Sequence, residues 1–252
     1  MPLSRTDPFF SPKRRLARAN QHLRKLNKGL IAFHGKNPYS RFTEVDLDTL
    51  MHKVRLKRPI PIGCIDAATE AVEALRATLD QIGYAAALAS GAHLPKKTAF
   101  PFAEDASKLQ NAKGWAKDLP DEIWAIFCSF LPYKGGNDAL WSLNKLCNLG
   151  KHATFAAFCI TPGGINFQSG SGPVTVLAPS IWDGSKNEIL FAHSPVGIPF
   201  NYNFQLLIAV SFDQIETLSG EPAIAVLDAI AREVERVLMA TEAECRRLGF
   251  IA

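Results

Sequence analysis

No uninterrupted apolar run in these 252 residues approaches the roughly 20 that a bilayer-spanning helix needs, and no apolar signal-peptide region stands at the N-terminus. The expectation is a soluble, unsecreted, cytoplasmic protein with no membrane partner. The five cysteines, Cys64, Cys128, Cys147, Cys159 and Cys245, are odd in number, widely spaced and mostly set in apolar runs. That pattern excludes a disulfide framework and fits reduced core residues. Six scattered histidines form no HExxH and cluster with neither cysteine nor carboxylate, so no metal and no other cofactor is expected. A P-loop, a GxGxxG following a strand, a GxSxG elbow and a CxxC pair are all missing, which removes the commonest nucleotide-binding, hydrolase and redox signatures.

Acidic residues are also missing, locally. None occurs between Asp7 and Glu44, and residues 1–58 hold 14 Lys and Arg against four acids. The remaining 194 residues hold 14 against 20, so a net charge of +4 conceals a basic leader of +10 and a remainder of −6. A leader of this kind attracts polyanions such as RNA, or docks on the acidic remainder of its own chain. The absence of acids is shared with organelle transit peptides.

What is present reads as a mainly helical region, 1–152, followed by strands and a last helix, 153–252, with one shared core expected. Ser11 and Pro12 suit a helix start, after which Leu16, Leu23, Leu26 and Leu30 line one side of a basic amphipathic helix. That leucine face would also serve a homodimer. Two-residue alternation from Phe42 to Pro61 marks a strand or hairpin with Val54 and Leu56 inward. A long alanine-rich helix is expected from Asp66 to Ser90, with Gly83 allowing another helix close and Arg76 paired with Asp80. Shorter helices at 104–111 and 119–131 precede a glycine turn and a helix capped by Asn137 or Asp138. Beyond His152, short β-branched or aromatic segments at 153–160, 164–168, 173–178, 187–194 and 203–212 alternate with turns too short for parallel crossovers. The fold class is therefore α+β: a helical N-terminal part, then an antiparallel sheet covered by a C-terminal helix that begins after Gly220-Glu221-Pro222.

The helix of 139–152, ALWSLNKLCNLGKH, carries Asn144, Asn148 and His152 at four-residue spacing. Polar groups on a core-facing helix require partners, which means either a buried hydrogen-bond network or a site. Facing Arg76 and Asp80 would complete a five-residue constellation. A small-molecule site lined by Trp141, Asn144 and His152 is a third reading of the same stripe.

LRATLD at 75–80, the Pro132-Tyr133 turn with its glycines, LWSLNKLCNLGKH at 140–152, and the sheet and helix that follow together resemble a family of uncharacterised bacterial proteins over nearly the whole chain. That family's pattern reads N-L-R-x-x-L-D-H and N-x-x-K-H. Asn148, Lys151 and His152 match, while Ala74 and Gln81 replace its asparagine and histidine. The resemblance implies an architecture without an activity. More distantly, Asn148 and His152 resemble the motif of HEPN domains, many of which are metal-independent ribonucleases. There the likeness implies a histidine acting as general acid or base near its reference pKa of about 6.5, an arginine steadying phosphate, and attack by the RNA 2′-hydroxyl. Cys147 occupies the arginine position here, leaving Lys145, Lys151 or Arg76 to supply the charge. The two functions to be weighed are therefore a degenerate HEPN-like RNA-binding or RNA-cleaving protein, and a non-enzymatic scaffold whose polar stripe is structural.

Overall fold

A computed structural model describes residues 7–149, 155–160, 174–197, 207–212 and 221–252. The chain is α+β, and it divides into two compact units that do not follow chain order. One unit joins Met1–Leu26, Asp66–His152 and Ile224–Ala252. The other joins Asn27–Ile65 to Ala153–Ala223. The final helix therefore groups with the earlier helices, and the early hairpin groups with the later strands.

In the helical unit, α1 (Phe10–His34) starts one residue before the expected cap. Asp7, not Ser11, supports the start: its carboxylate accepts the Phe9 N–H at 2.8 Å. The Asp7 carboxylate also holds Lys13 Nζ at 2.8 Å, and Lys13 reaches Glu242 of α5 (Ala223–Arg247) at 2.8 Å. Leu16, Leu23 and Leu26 are buried, as their spacing requires.

The long helix α2 (Ile62–Ala89) buries Ala71, Leu75, Leu79, Ile82 and Ala86. Gly83 does admit a close neighbour, but it is a loop and not a helix: a Cβ there would overlap the Thr98 carbonyl oxygen. A 3-10 helix (Ala106–Trp115) takes the place of the α-helix expected near 104–111. Asp105 caps it by accepting from Ser107 N at 2.9 Å and Lys108 N at 3.2 Å. Helix α3 (Asp121–Ser129) turns Ile123, Trp124 and Phe127 inward, and α4 (Asp138–Leu149) turns in Leu140, Leu143 and Leu146. Asn137 caps α4 through Leu140 N at 3.1 Å.

In the second unit, β1 (Tyr39–Asp46) and β2 (Thr49–Leu56) form the expected antiparallel hairpin. β2 then pairs with β5 (Glu188–Pro195), and β5 with β4 (Thr175–Asp183), giving an antiparallel sheet of order β1-β2-β5-β4. A second antiparallel pair joins β3 (Phe155–Ile160) to β6 (Leu207–Phe212). Val54, Leu56, Ile189, Phe191 and Ala192 make the apolar cluster of the four-stranded sheet, so the inward assignment of Val54 and Leu56 holds. Arg55 is exposed beside them and donates to the nearly buried Glu188 at 2.6 Å, tying β2 to β5. The strand expected at 164–168 lies outside the described residues.

Candidate functional site

Four of the five residues singled out in the sequence are described, all within the helical unit; Arg76 and Asn144 share one hollow, and Asp80 is paired to Arg76. Arg76 and Asp80 stand one turn apart on α2, their pair closed at 2.6 Å between Nη1 and Oδ1. The Arg76 guanidinium also lies over the Phe102 ring, 4.5 Å from its centroid. Asn144 reaches the same place from α4. Arg76, Phe102, Trp115 and Asn144 line an open hollow of about 330 Å³. Phe102, Trp115 and Asn144 also line an adjoining one of about 330 Å³, with Glu104, Lys108 and Asn111 at its rim.

The polar stripe does not face the core. Leu140, Leu143 and Leu146 take that side of α4, leaving Asn144 half-buried and Asn148 exposed. Asn144 makes no hydrogen bond among the described residues, so its carboxamide is available at the hollow. His152 lies outside the described residues, and its relation to Asn148 is not part of the geometry. Trp141 is almost fully buried, with Lys134 and Lys145 over its ring, and it does not line the hollows. Trp115 is the tryptophan that shares these hollows with Asn144; the third member of the expected Trp141–Asn144–His152 grouping lies outside the described residues.

Cys147, at the position where the HEPN pattern has arginine, lies within electrostatic range of Arg76 on the neighbouring helix. Burial pushes its thiol up, Arg76 opposes this, and Glu73 and Asp80 add to the rise. Burial thus favours the neutral thiol over the thiolate. Lys145 is engaged by Glu104 at 2.7 Å, and that hydrogen bond holds the exposed Glu104 carboxyl below the usual carboxylate range. Among the described residues no group of His, Cys, Asp and Glu has the makings of a metal site.

Trp115 is the residue that sequence reasoning missed. It is 72% exposed although it belongs to an ordered 3-10 helix whose end is held by Ala99 N donating to Trp115 O at 3.0 Å. The exposed indole on a tethered backbone, with an arginine-covered phenyl ring lining the same hollows, offers an aromatic surface to solvent. Its only signal in the sequence is a lone tryptophan in the polar stretch QNAKGWAKD.

No family model, no curated protein and no solved structure matches this chain.

Proposed function

We propose that the chain is an RNA-binding protein that contacts single-stranded RNA through the face shared by α2, the 3-10 helix and α4. The observation that carries this reading is the exposed Trp115 beside Phe102, Arg76 and the unengaged Asn144. An exposed indole offers a stacking surface for a base, an arginine supplies positive charge, and a free carboxamide donates to and accepts from base edges. Lys108 at the rim and the basic leader extend the attraction to phosphate. Cleavage would require His152 beside Asn148; binding does not.

The test is fluorescence anisotropy of a labelled unstructured oligoribonucleotide with wild type and Trp115→Ala, at several salt concentrations and with a chelator present. Saturable binding that weakens with salt and falls in the variant supports the reading. Salt-independent binding, or equal binding by both proteins, removes it.

A second reading, a scaffold without nucleic-acid affinity, is supported by the Arg76–Asp80 pair. There the guanidinium is already committed and ties α2 to the Phe102 loop. It predicts that Arg76→Ala alters stability and nothing else.

A further inference from the structure

The first turns of α1 carry Ser11, Arg14, Arg15 and Arg18 at positions that share one helical face. Together with Phe10, and with Gln81 from α2, they line a third, separate cavity of about 230 Å³. None of the three arginines has a carboxylate partner among the described residues. Neighbouring acids are engaged elsewhere: Asp7 with Lys13, Glu242 with Lys13 and Arg246, and Glu70 with His22. Three like charges left side by side repel one another, and this arrangement costs free energy unless an anion joins it.

The groups are also held in place. His22 Nδ1 lies 2.8 Å from a Glu70 carboxylate oxygen, and Arg18 Nε donates to His22 Nε2 at 3.4 Å. With its carboxamide nitrogen turned to Ser11 Oγ at 3.0 Å, Gln81 presents its oxygen to Arg15 Nη2 at 3.2 Å. Arg15 and Arg18 are therefore oriented by an amide and an imidazole, and neither contacts a carboxylate directly.

We infer that this cleft is a binding site for a phosphate monoester. Guanidinium forks match the oxygens of a phosphoryl group, and three of them suit a tetrahedral dianion better than a planar monocarboxylate. The cavity falls below the roughly 300–1,000 Å³ of pockets that enclose organic ligands, so it takes the phosphoryl group while the rest of the ester lies outside. This site shares no lining residue with the Trp115 face and does not depend on the RNA reading.

Calorimetric titration of the full chain with inorganic phosphate tests it, with acetate at equal ionic strength as the control. Saturable phosphate binding is expected, at least about tenfold weaker or lost in Arg15→Gln/Arg18→Gln, because both guanidinium hydrogen bonds to the anion are removed. It should be unchanged in Arg24→Gln/Lys25→Gln, which removes the same charge from exposed positions further along α1, and unchanged in Trp115→Ala. Absent phosphate binding, equal binding of acetate, or equal loss in both double variants overturns the site. The two sources of the ester are separated by comparing uridine 5′-monophosphate with a 5′-phosphorylated oligoribonucleotide and its 5′-hydroxyl counterpart. A strand end is the source if only the phosphorylated oligonucleotide gains affinity through the arginines. A small ester is the source if the mononucleotide binds as tightly.

Discussion

Arg76 lies over the ring of Phe102 with its guanidinium carbon 4.5 Å from the centroid, while its Nη1 donates to Asp80 at 2.6 Å. One side chain thus joins the α2 surface to the loop that leads into the 3-10 helix. An exposed i,i+4 pair contributes about 0.3–0.5 kcal/mol and a partly exposed cation–π contact about 0.5–1 kcal/mol. Arg76→Ala should therefore lower stability by about 1 kcal/mol in urea unfolding, and Asp80→Asn by less than half of that. Equal losses would mean that the Phe102 contact contributes nothing.

Trp115→Ala should leave the unfolding midpoint nearly unchanged, within about 0.5 kcal/mol, because so much of the indole is in water. RNA affinity should fall by about 1–3 kcal/mol, the usual worth of one stacked base. A large loss of stability would identify Trp115 as a packing residue and withdraw the stacking role.

Gly83→Ala places a methyl carbon against the Thr98 carbonyl oxygen, a backbone atom that cannot rotate away. The α2 backbone and the Thr98 loop must separate, at a cost of about 1–3 kcal/mol. Gly63→Ala is the comparison, since a Cβ there meets nothing within 4 Å and replaces glycine within the same helix. It should be neutral or slightly stabilising. Thermal unfolding of the two variants checks this, and equal midpoints would show that the Thr98 loop yields at no cost.

His52 is nearly fully buried on β2, with Nε2 3.1 Å from Ser194 Oγ on β5. Burial, with a smaller contribution from His193, pushes its pKa below the ordinary value of about 6.5. The unfolded chain therefore binds a proton at a higher pH than the folded one. Stability is fully present above pH 6.5 and is lost as pH falls through the lower folded pKa. Between pH 7 and 5 the unfolding midpoint should drop, and His52→Gln should flatten that slope. An unchanged slope would assign the acid sensitivity elsewhere, for instance to His34, which burial shifts the same way.

Burial works against the charge of Asp7, but the hydrogen bonds from Lys13 and from the Phe9 N–H outweigh it and hold the carboxyl below its usual range. A depressed carboxylate stabilises the fold above its unfolded pKa of about 3.9, and that contribution disappears as pH falls through the folded value. Asp7→Ala should cost about 1 kcal/mol at pH 7, because it removes the acceptor of both the Phe9 N–H and Lys13. The gap to wild type should narrow toward pH 3. A gap that is constant with pH would show that the charge has no part in it.

Much of the secondary structure was legible because hydrophobic periodicity reports directly on which face of an element is buried. The leucines of α1, the alanine-rich face of α2 and the Val54–Leu56 alternation all follow from that rule. Capping was less legible, since Ser11 with Pro12 and Asp7 both offer sound starts, and the choice between them depends on Lys13 reaching Glu242, 229 residues away. The 3-10 form of residues 106–115 was not legible either, because its amphipathic pattern is weak and Asp105 alone sets its start.

By itself the sequence determined the α+β class, the basic leader, the Arg76–Asp80 pair and the approximate places of the described strands, though β4 runs on to Asp183, five residues past the expected 173–178. These depend on local spacing and on charge, which the chain carries wherever it folds. Tertiary structure decided which side of α4 meets water, and so turned Asn144 and Asn148 outward from an expected buried stripe. It also brought Trp115 and Phe102 to Arg76, and paired the early hairpin with β5 about 140 residues later. Such long-range pairings have no local signature, because they are selected by the burial of whole faces and not by any one segment's preference.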